Sequence, residues 1–155
     1  MLREYDRLFL LKAFTKRYAM AGLRLGYGMT ASGELLERME TRLQPWNVST
    51  PAQEAGIAAL EETEYVERAR ALIFKEKDNL MRQLKELGYQ VYDSKANYIF
   101  FHGEEDLGKK LLEEKVMIRD CSNYPGLTKG DFRIAVRTPE ENQILLQAMR
   151  KVREQ

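Results

Sequence analysis

The sequence is poor in the residues that form disulfide frameworks and metal centres. Its 155 residues include one cysteine, Cys121, and one histidine, His102. A single cysteine cannot form an internal disulfide, and the chain has no CxxC or Cys/His cluster with the spacing of a zinc site. We therefore expect neither a disulfide nor a metal site.

The chain also lacks an excess of one charge and a long apolar run. Lys and Arg number 25 and Asp and Glu number 24, a formal net charge of +1, which gives no general attraction to nucleic acids or membranes. The opening segment MLREYDRLFLLKAF has too short an apolar run, with charge on both sides, for a signal peptide or a spanning helix. The default expectation is a cytoplasmic protein.

Length and hydrophobic pattern predict a globular α/β chain. Hydrophobic residues make up 44% and charged residues 32% of the sequence, and a chain of this length can bury a core. Short apolar or alternating runs predict strands at residues 8–14, 89–92, 97–101, 117–119 and 132–136, and a turn followed by a strand at residues 19–29. The first of these strands is expected to be buried. Helical spacing predicts helices at residues 31–42, 51–61, 64–87, 106–114 and from 138 onwards.

Local signals mark the ends of three of these helices. Ser32 is expected to cap its helix, which carries Leu36 and Met39 on an apolar face. Gly88 is expected to end the longest helix. The segment Thr138-Pro139-Glu140-Glu141 has the pattern of a capping box with proline in the first helical position.

The segment AFTKRYAMAGLRLGYG, residues 13–28, places basic side chains among small and apolar residues. Lys16 follows a predicted strand and the hydroxyl residue Thr15, a position where α/β proteins carry ligand groups. Arg24 lies between two glycines, where bare backbone lets an anion approach closely. A lysine amine can attack a carbonyl group and a guanidinium can bind a phosphate. The alternative is that both residues end strands and point into solvent.

The run from Thr15 to Tyr27 resembles the lysine segment of fold-type-I, pyridoxal-phosphate-dependent aminotransferases of class I and II. The shared pattern is a hydroxyl residue, Lys, a short variable stretch, Gly-Leu-Arg, any residue, then Gly and an aromatic residue. The resemblance implies that Lys16 bonds to the cofactor aldehyde and later moves protons at the substrate's α-carbon. It implies that Arg24 binds the cofactor phosphate and that Thr15 adds a hydroxyl contact. Ala13 departs from the pattern, because many relatives have Ser or Thr there.

Two later segments also resemble this family. Ser94-Lys95-Ala96-Asn97-Tyr98 is similar to the family's Ser-x-x-Asn-aromatic entry to a strand, which implies that Asn97 contacts the substrate. The run Phe132-Arg133-Ile134-Ala135-Val136 is similar to the strand whose arginine binds the substrate α-carboxylate, here Arg133. The alternatives are a turn amide for Asn97 and an outward-facing strand residue for Arg133.

The loop from Ile118 to Leu127 indicates which branch of this family the chain resembles. It is similar to threonine-phosphate decarboxylases of cobalamin biosynthesis and to their kin, the histidinol-phosphate aminotransferases of histidine biosynthesis. The resemblance implies that Arg119 binds the phosphate of a small phosphorylated amino acid or amino alcohol. The alternative is that Arg119 pairs with Asp120 or a surface Glu, and that Cys121 is a small buried residue.

The resemblance covers the whole chain but only the C-terminal part of the family's architecture. It implies an α+β C-terminal domain, with a small mixed or antiparallel sheet packed against helices, a long connecting helix and a remnant of the large-domain sheet. We place the remnant at residues 1–50 and the small domain at residues 51–155. The family's phosphate loop, stacking aromatic ring and acidic partner of the pyridine nitrogen lie upstream, so we expect a homodimer-forming fragment that is inactive in isolation.

Two other interpretations stay open. In the first, the chain would be a non-catalytic structural or self-association domain that retains the family's residues. In the second, it would be a generic phosphate-binding module. The sequence also leaves open which amino compound is the substrate, and whether the reaction is decarboxylation or transamination.

Overall fold

The computed structural model describes residues 2–5 and 7–154 of the chain. Its helices, after a 3₁₀ turn at Leu2–Glu4, are α1 (Phe14–Arg17), α2 (Gly33–Glu40), α3 (Thr50–Glu61), α4 (Thr63–Glu86), α5 (Leu107–Glu113) and α6 (Pro139–Arg153). Its strands are β1 (Phe9–Ala13), β2 (Gly26–Thr30), β3 (Gln90–Val91), β4 (Tyr98–His102), β5 (Arg119–Asp120) and β6 (Asp131–Ala135). Within residues 2–5 and 7–154, no helix combines the length and the hydropathy of a membrane span.

The chain forms two compact units, one ending at Glu67 and the other beginning at Arg68. The first contains a two-stranded sheet and the second a four-stranded sheet. The predicted α/β class, with a small antiparallel sheet and a long helix, is confirmed. The division that we place between residues 50 and 51 concerns the family's domains and stays a prediction.

The first unit is built on an antiparallel hairpin in which β1 pairs with β2 from Phe9↔Thr30 to Ala13↔Gly26. The ring of Phe9 lies against Gly28 so closely that a Cβ atom there would collide with it. The expected burial of β1 is wrong for this chain, since Leu11 is 76% exposed. A hairpin has no neighbouring strands, and the described part of its unit leaves Leu11 uncovered.

The helix α2 begins as predicted but is less buried than its pattern suggests. Ser32 caps it by accepting a 3.2 Å hydrogen bond from the backbone N–H of Leu35. Its apolar side chains are not enclosed, because Leu36 is 41% and Met39 37% exposed. The helical period therefore predicted the secondary structure correctly but not the burial.

The second unit packs the three helices α4, α5 and α6 with an antiparallel sheet of order β3-β4-β6-β5. Side chains alternate along each strand, so every second residue contributes to the core. The core residues from β4 and β6 are Ile99, Phe101, Phe132 and Ile134, and the helices add residues such as Leu80, Leu84, Leu111, Leu146 and Met149. The opposite face of the sheet carries Tyr98, Phe100 and Arg133, none of which is buried.

Helices α4 and α5 of this unit end in the same way, each with a residue whose backbone is left-handed (φ > 0). The type of that residue differs between the two helices. After α4, Gly88 has φ 83° and donates to the Lys85 carbonyl at 2.9 Å. After α5, Lys115 has φ 62° and donates to the Leu112 carbonyl at 3.0 Å. Residues with a Cβ atom adopt this conformation at a cost in free energy that glycine does not incur, so α5 ends with a strained residue.

Exchanging the residue types at these helix ends should change stability in opposite directions. We expect Lys115→Gly to raise the free energy of unfolding by about 1 kcal/mol, because it relieves the left-handed strain. Gly88→Ala should lower it by about 1 kcal/mol, because it introduces that strain. Urea unfolding followed by circular dichroism measures both changes.

The control is Lys115→Ala, which removes the lysine side chain but keeps a Cβ atom at φ 62°. It should not stabilise the chain. An equal gain from alanine and glycine at this position would show that the charge, and not the backbone, is responsible.

Candidate functional site

The predicted cofactor-binding residues lie in the connection between β1 and β2. A 3.1 Å hydrogen bond from the backbone N–H of Phe14 to the carbonyl of Leu25 closes this connection. Because Ala13 and Gly26 pair directly at the end of the hairpin, Lys16 and Arg24 both belong to the loop at that end. Lys16 and Arg24 thus lie on one connection of the hairpin.

A buried aromatic ring holds the beginning of this connection. Phe14 is 3% exposed, and its ring lies 5.0 Å from that of Tyr18 and 5.9 Å from that of Tyr27. Helix α3 approaches it through small residues, and a Cβ atom on Gly56 would lie 2.5 Å from a methyl group of Leu25. Close packing around Phe14 therefore fixes the backbone from which the next residues project.

Thr15 and Lys16 follow Phe14 on the short helix α1. Thr15 is half-buried and Lys16 is exposed. Among the described residues, none forms a hydrogen bond or an ion pair with the Lys16 amine. This amine is therefore available to an incoming carbonyl compound.

Arg24 has an unusual backbone conformation for a non-glycine residue. Its φ is 53°, and that of Ala19 in the same connection is 55°, in the left-handed region that costs residues with a Cβ atom about 1–2 kcal/mol each. The guanidinium makes one long contact, 3.5 Å to the carbonyl of Ala21. A Cβ atom on Gly22 would meet no atom within 4 Å, so there is open space beside the loop. Arg24 thus presents an exposed guanidinium, a group that can bind a phosphate.

The predicted substrate-binding residues belong to the second unit. Strand β6 places Arg133 directly opposite Phe100 of β4 and directly opposite Arg119 of β5. Directly opposite residues share one face of a sheet, so both arginines project from the face that the helices leave uncovered. The half-buried Arg133 guanidinium lies 4.9 Å from the centre of the Tyr98 ring, within the range of a cation–π interaction.

Arg119 does not pair with its neighbouring carboxylate. Its guanidinium donates a 3.1 Å hydrogen bond to the side-chain oxygen of Asn123 and lies 5.7 Å from the ring of Tyr124. The carboxylate of Asp120 instead accepts a 2.8 Å hydrogen bond from the backbone N–H of Ser122, which lowers the pKa of Asp120. Arg119 is exposed on β5, and none of the described carboxylates forms an ion pair with its guanidinium.

Asn97 lies at the entry to β4. Its carbonyl accepts a 2.9 Å hydrogen bond from the backbone N–H of Val136, which fixes the backbone at this point. Its side chain is exposed and makes no hydrogen bond with the described residues. The side-chain amide is thus free, while the backbone that carries it is anchored to the residue after β6.

Comparison with known proteins identifies the family. The sequence profile of the family described as "Aminotransferase class I and II" matches residues 1–149. The chain belongs to the class I and II aminotransferases.

The relatives of this aminotransferase-family chain are longer than the chain itself. The threonine-phosphate decarboxylase of Salmonella typhimurium is 34% identical over 97% of the chain, which spans 43% of that protein. The crystal structure of the histidinol-phosphate aminotransferase from Clostridium acetobutylicum superposes with a TM-score of 0.93 at 32% identity, over 99% of the chain and 48% of that structure. The chain thus spans less than half the length of these relatives.

A further solved structure supports the fold alone. The histidinol-phosphate aminotransferase from Sinorhizobium meliloti, solved in complex with pyridoxal-5'-phosphate, has a TM-score of 0.81 at 18% identity. The match covers 96% of the chain and 42% of that structure.

The family resemblance did not reveal two buried charged residues of α4, Glu76 and Lys77, each 5% exposed. A signal for Lys77 is present in the sequence. It occupies the helical stripe formed by Ile73, Leu80 and Leu84, where the spacing of three and four residues calls for an apolar side chain.

Cys121 is buried, and His102 pairs with a buried carboxylate. Cys121 is 3% exposed, as expected of a small buried residue, and burial raises the pKa of its thiol. His102 lies with its Nδ1 atom 2.9 Å from the Asp131 carboxylate. The other oxygen of Asp131 accepts a 2.8 Å hydrogen bond from the backbone N–H of Thr128.

The buried carboxylate of Asp131 should make the chain sensitive to acid. The hydrogen bond from Thr128 and then that with His102 lower the pKa of Asp131 from its ordinary value of 3.8. Because the pKa of Asp131 is lower in the folded state than in the unfolded state, its ionised carboxylate stabilises the folded chain fully at any pH above the unfolded-state pKa. This stabilisation is lost as the pH falls through the folded-state pKa. The stability difference between the unaltered chain and Asp131→Asn should therefore shrink as the pH falls below about 4.

Urea unfolding at a series of pH values measures this difference. Asp78→Asn is the matched control, because it removes an exposed carboxylate of α4 in the same unit. A stability difference for Asp131→Asn that stays constant down to about pH 3 would contradict the predicted linkage.

Proposed function

We propose that this chain is the C-terminal part of a pyridoxal-phosphate-dependent enzyme that acts on a small phosphorylated amino compound. The two candidate reactions are decarboxylation of threonine phosphate and transamination of histidinol phosphate, after the relatives with those names. The observation that carries the proposal is the loop between β1 and β2, which bears an unpaired amine and an exposed guanidinium.

The residues of this loop fit pyridoxal phosphate in chemical type. Lys16 would hold the cofactor through its aldehyde, Arg24 through its phosphate, and Thr15 would add a hydroxyl hydrogen bond. When bound, the cofactor supplies an electron sink for the electrons released at the substrate's α-carbon. The match to the class I and II aminotransferase profile supports the same choice.

Lys16 has the properties of a proton-transfer group as well as of an anchor. In its neutral form, a lysine amine can accept a proton from the α-carbon of a substrate and return it elsewhere. Arg24, eight positions later on the same connection, supplies a fixed positive charge. Its role is to bind the cofactor phosphate, so that the Lys16 amine meets the aldehyde in a constant orientation.

The two arginines on the open face of the sheet suit a substrate with two anionic groups. Arg133 would bind the α-carboxylate with its planar fork, and Arg119, directly opposite on β5, would bind the phosphate. Asn97 would donate a hydrogen bond from its free side-chain amide. Threonine phosphate carries both a carboxylate and a phosphate, whereas histidinol phosphate carries the phosphate and no carboxylate.

The isolated chain is proposed to bind the cofactor weakly and to catalyse neither reaction. It spans 43% of the Salmonella typhimurium decarboxylase, and the family's pyridine-stacking ring and acidic partner belong to the remainder. The carboxylate that keeps the ring nitrogen protonated is needed for the electron sink.

The second candidate function is self-association without catalysis. The exposed apolar side chains favour it, in particular Leu11, which is 76% exposed on a two-stranded sheet with open edges. Unpaired strand edges that carry apolar residues promote pairing between chains. This property is compatible with the homodimer expected of the family.

Pyridoxal phosphate should label Lys16 in preference to other exposed lysines. The full chain is incubated with the cofactor, reduced with borohydride and digested, and the modified lysines are quantified by mass spectrometry. Lys16 should carry more label than Lys12, an exposed lysine of the same hairpin, because Arg24 adds a phosphate contact. Pyridoxal, which lacks the phosphate, should abolish the preference.

Two variants separate the guanidinium from the backbone of the loop. Arg24→Gly removes the guanidinium with a residue that accepts φ 53°, and Ala19→Gly makes a comparable backbone change at φ 55°. The first should reduce labelling of Lys16 to that of Lys12, and the second should not. Equal labelling of both lysines in the unaltered chain would count against the cofactor site, and catalytic turnover would refute the proposed inactivity.

Leu11→Lys should weaken self-association of the chain. We expect light scattering to give the unaltered chain a mass of about twice 18.1 kDa, and Leu11→Lys a mass closer to the monomer, because a charge on an edge strand opposes pairing. Leu112→Lys is the matched control, because Leu112 is also exposed, at 61%, but lies on α5. This variant should keep the mass of the unaltered chain.

Repeating the measurement with pyridoxal phosphate distinguishes the two candidate functions. A stable dimer that takes up no cofactor would favour the non-catalytic alternative. A monomer at all concentrations would remove the self-association proposal.

A further inference from the structure

The buried lysine of α4 has an unusual set of neighbours. The Lys77 ammonium donates a 2.9 Å hydrogen bond to the carbonyl of Ser94 and lies 4.9 Å from the centre of the Phe74 ring. No carboxylate of the described residues forms an ion pair with it. A buried charge is costly unless its hydrogen bonds are well placed, so the contact with Ser94 is the main polar interaction of this group.

Ser94 also forms hydrogen bonds with the segment that leads into β4. Its hydroxyl donates a 2.6 Å hydrogen bond to the carbonyl of Tyr98 and accepts a 3.2 Å hydrogen bond from the backbone N–H of Ala96. Asn97 lies between these two bonded positions. The segment from Ser94 to Tyr98 is therefore held in one conformation, with its first residue attached to α4.

The other buried charge of α4 anchors the end of β6 in a similar way. The side-chain amide of Asn142 donates 2.9 Å hydrogen bonds to the Glu76 carboxylate and to the carbonyl of Arg137, and its oxygen accepts one from the Arg137 N–H at 3.1 Å. The hydrogen bond from Val136 to Asn97 then joins the two anchored segments. Glu76 and Lys77 thus fix both chain segments that flank the substrate-binding face.

We propose that Lys77 is a positioning residue for Arg133, acting through Ser94 and the ring of Tyr98. The Arg133 guanidinium lies 4.9 Å from that ring, and the place of the ring depends on the backbone of Tyr98, which Ser94 holds. The inference rests on the proposed function only in giving Arg133 the task of binding a carboxylate.

The task of Arg133 requires such positioning. Two parallel hydrogen bonds to a carboxylate form only when the plane of the guanidinium has one orientation. An arginine side chain has many rotamers, and a ring face beneath the guanidinium favours a few of them. Release of the segment from Ser94 to Tyr98 would free the ring, and with it the guanidinium.

Side-chain NMR of the isotope-labelled full chain tests directly whether Lys77 positions Arg133. Protons of Arg133 above the ring should resonate upfield in the unaltered chain and in Tyr98→Phe, and this shift should be lost in Tyr98→Leu. Lys77→Met should reproduce the loss, because methionine cannot donate to the Ser94 carbonyl. Lys77→Arg, which can donate, should restore the shift.

Two further variants keep the test decisive. Lys75→Met, an exposed lysine on the same helix, should leave the Arg133 resonances unchanged. Ser94→Ala keeps the carbonyl that Lys77 binds but removes the hydroxyl link, so it should also lose the upfield shift. If Lys77→Met does not fold, as judged by the amide resonances of Ile99 and Ile134, the conclusion depends on Ser94→Ala.

An unchanged upfield shift in a folded Lys77→Met or Ser94→Ala variant would overturn the proposal. The readout needs no substrate, so it is independent of what Arg133 binds. Adding a small carboxylate to the unaltered chain tests the proposed function separately. Arg133 resonances that do not move in this titration would count against the proposed function, and not against the positioning role of Lys77.

Discussion

The pairing of β4 with β6 is the constraint on which the second unit depends. Ile99 lies opposite Ile134, and Phe100 lies opposite Arg133, so one register places the apolar pair in the core and the arginine on the open face. A shift of one residue would exchange the two faces and bury the guanidinium. The hydrophobic core and the candidate substrate-binding face are therefore two consequences of the same hydrogen-bonded ladder.

The loop of the first unit depends on packing of a different kind. Phe14 is enclosed by aromatic rings and by the small-residue face of α3, which lets Leu25 approach Gly56. Arg24 remains in a left-handed conformation that is costly for a residue with a Cβ atom. Strain of this kind is concentrated at functional sites, because the surrounding structure has to maintain it.

Sequence reasoning was correct where a few neighbouring residues decide the outcome. The capping box at Thr138 and the glycine ending of α4 both form as predicted, since short-range hydrogen bonds and the φ of a single residue determine them. It was wrong about the burial of Leu11, because burial depends on neighbours that a local pattern does not specify. It left open whether Arg119 pairs with Asp120, and the turn at Ser122 takes that carboxylate instead.

The sequence by itself determined the family and most of the secondary structure, because these follow from a motif of fixed spacing and from short-range periodicity. It did not predict the short helix α1, whose first residue, Phe14, falls in the predicted strand. Only the tertiary structure decided that Lys77 binds the carbonyl of Ser94, 17 residues away, and that Asn142 reaches Glu76, 66 residues away. Such contacts form when packing brings distant segments together, and no local pattern encodes which buried charge meets which polar group. Those distant contacts attach to α4 the segments before β4 and after β6.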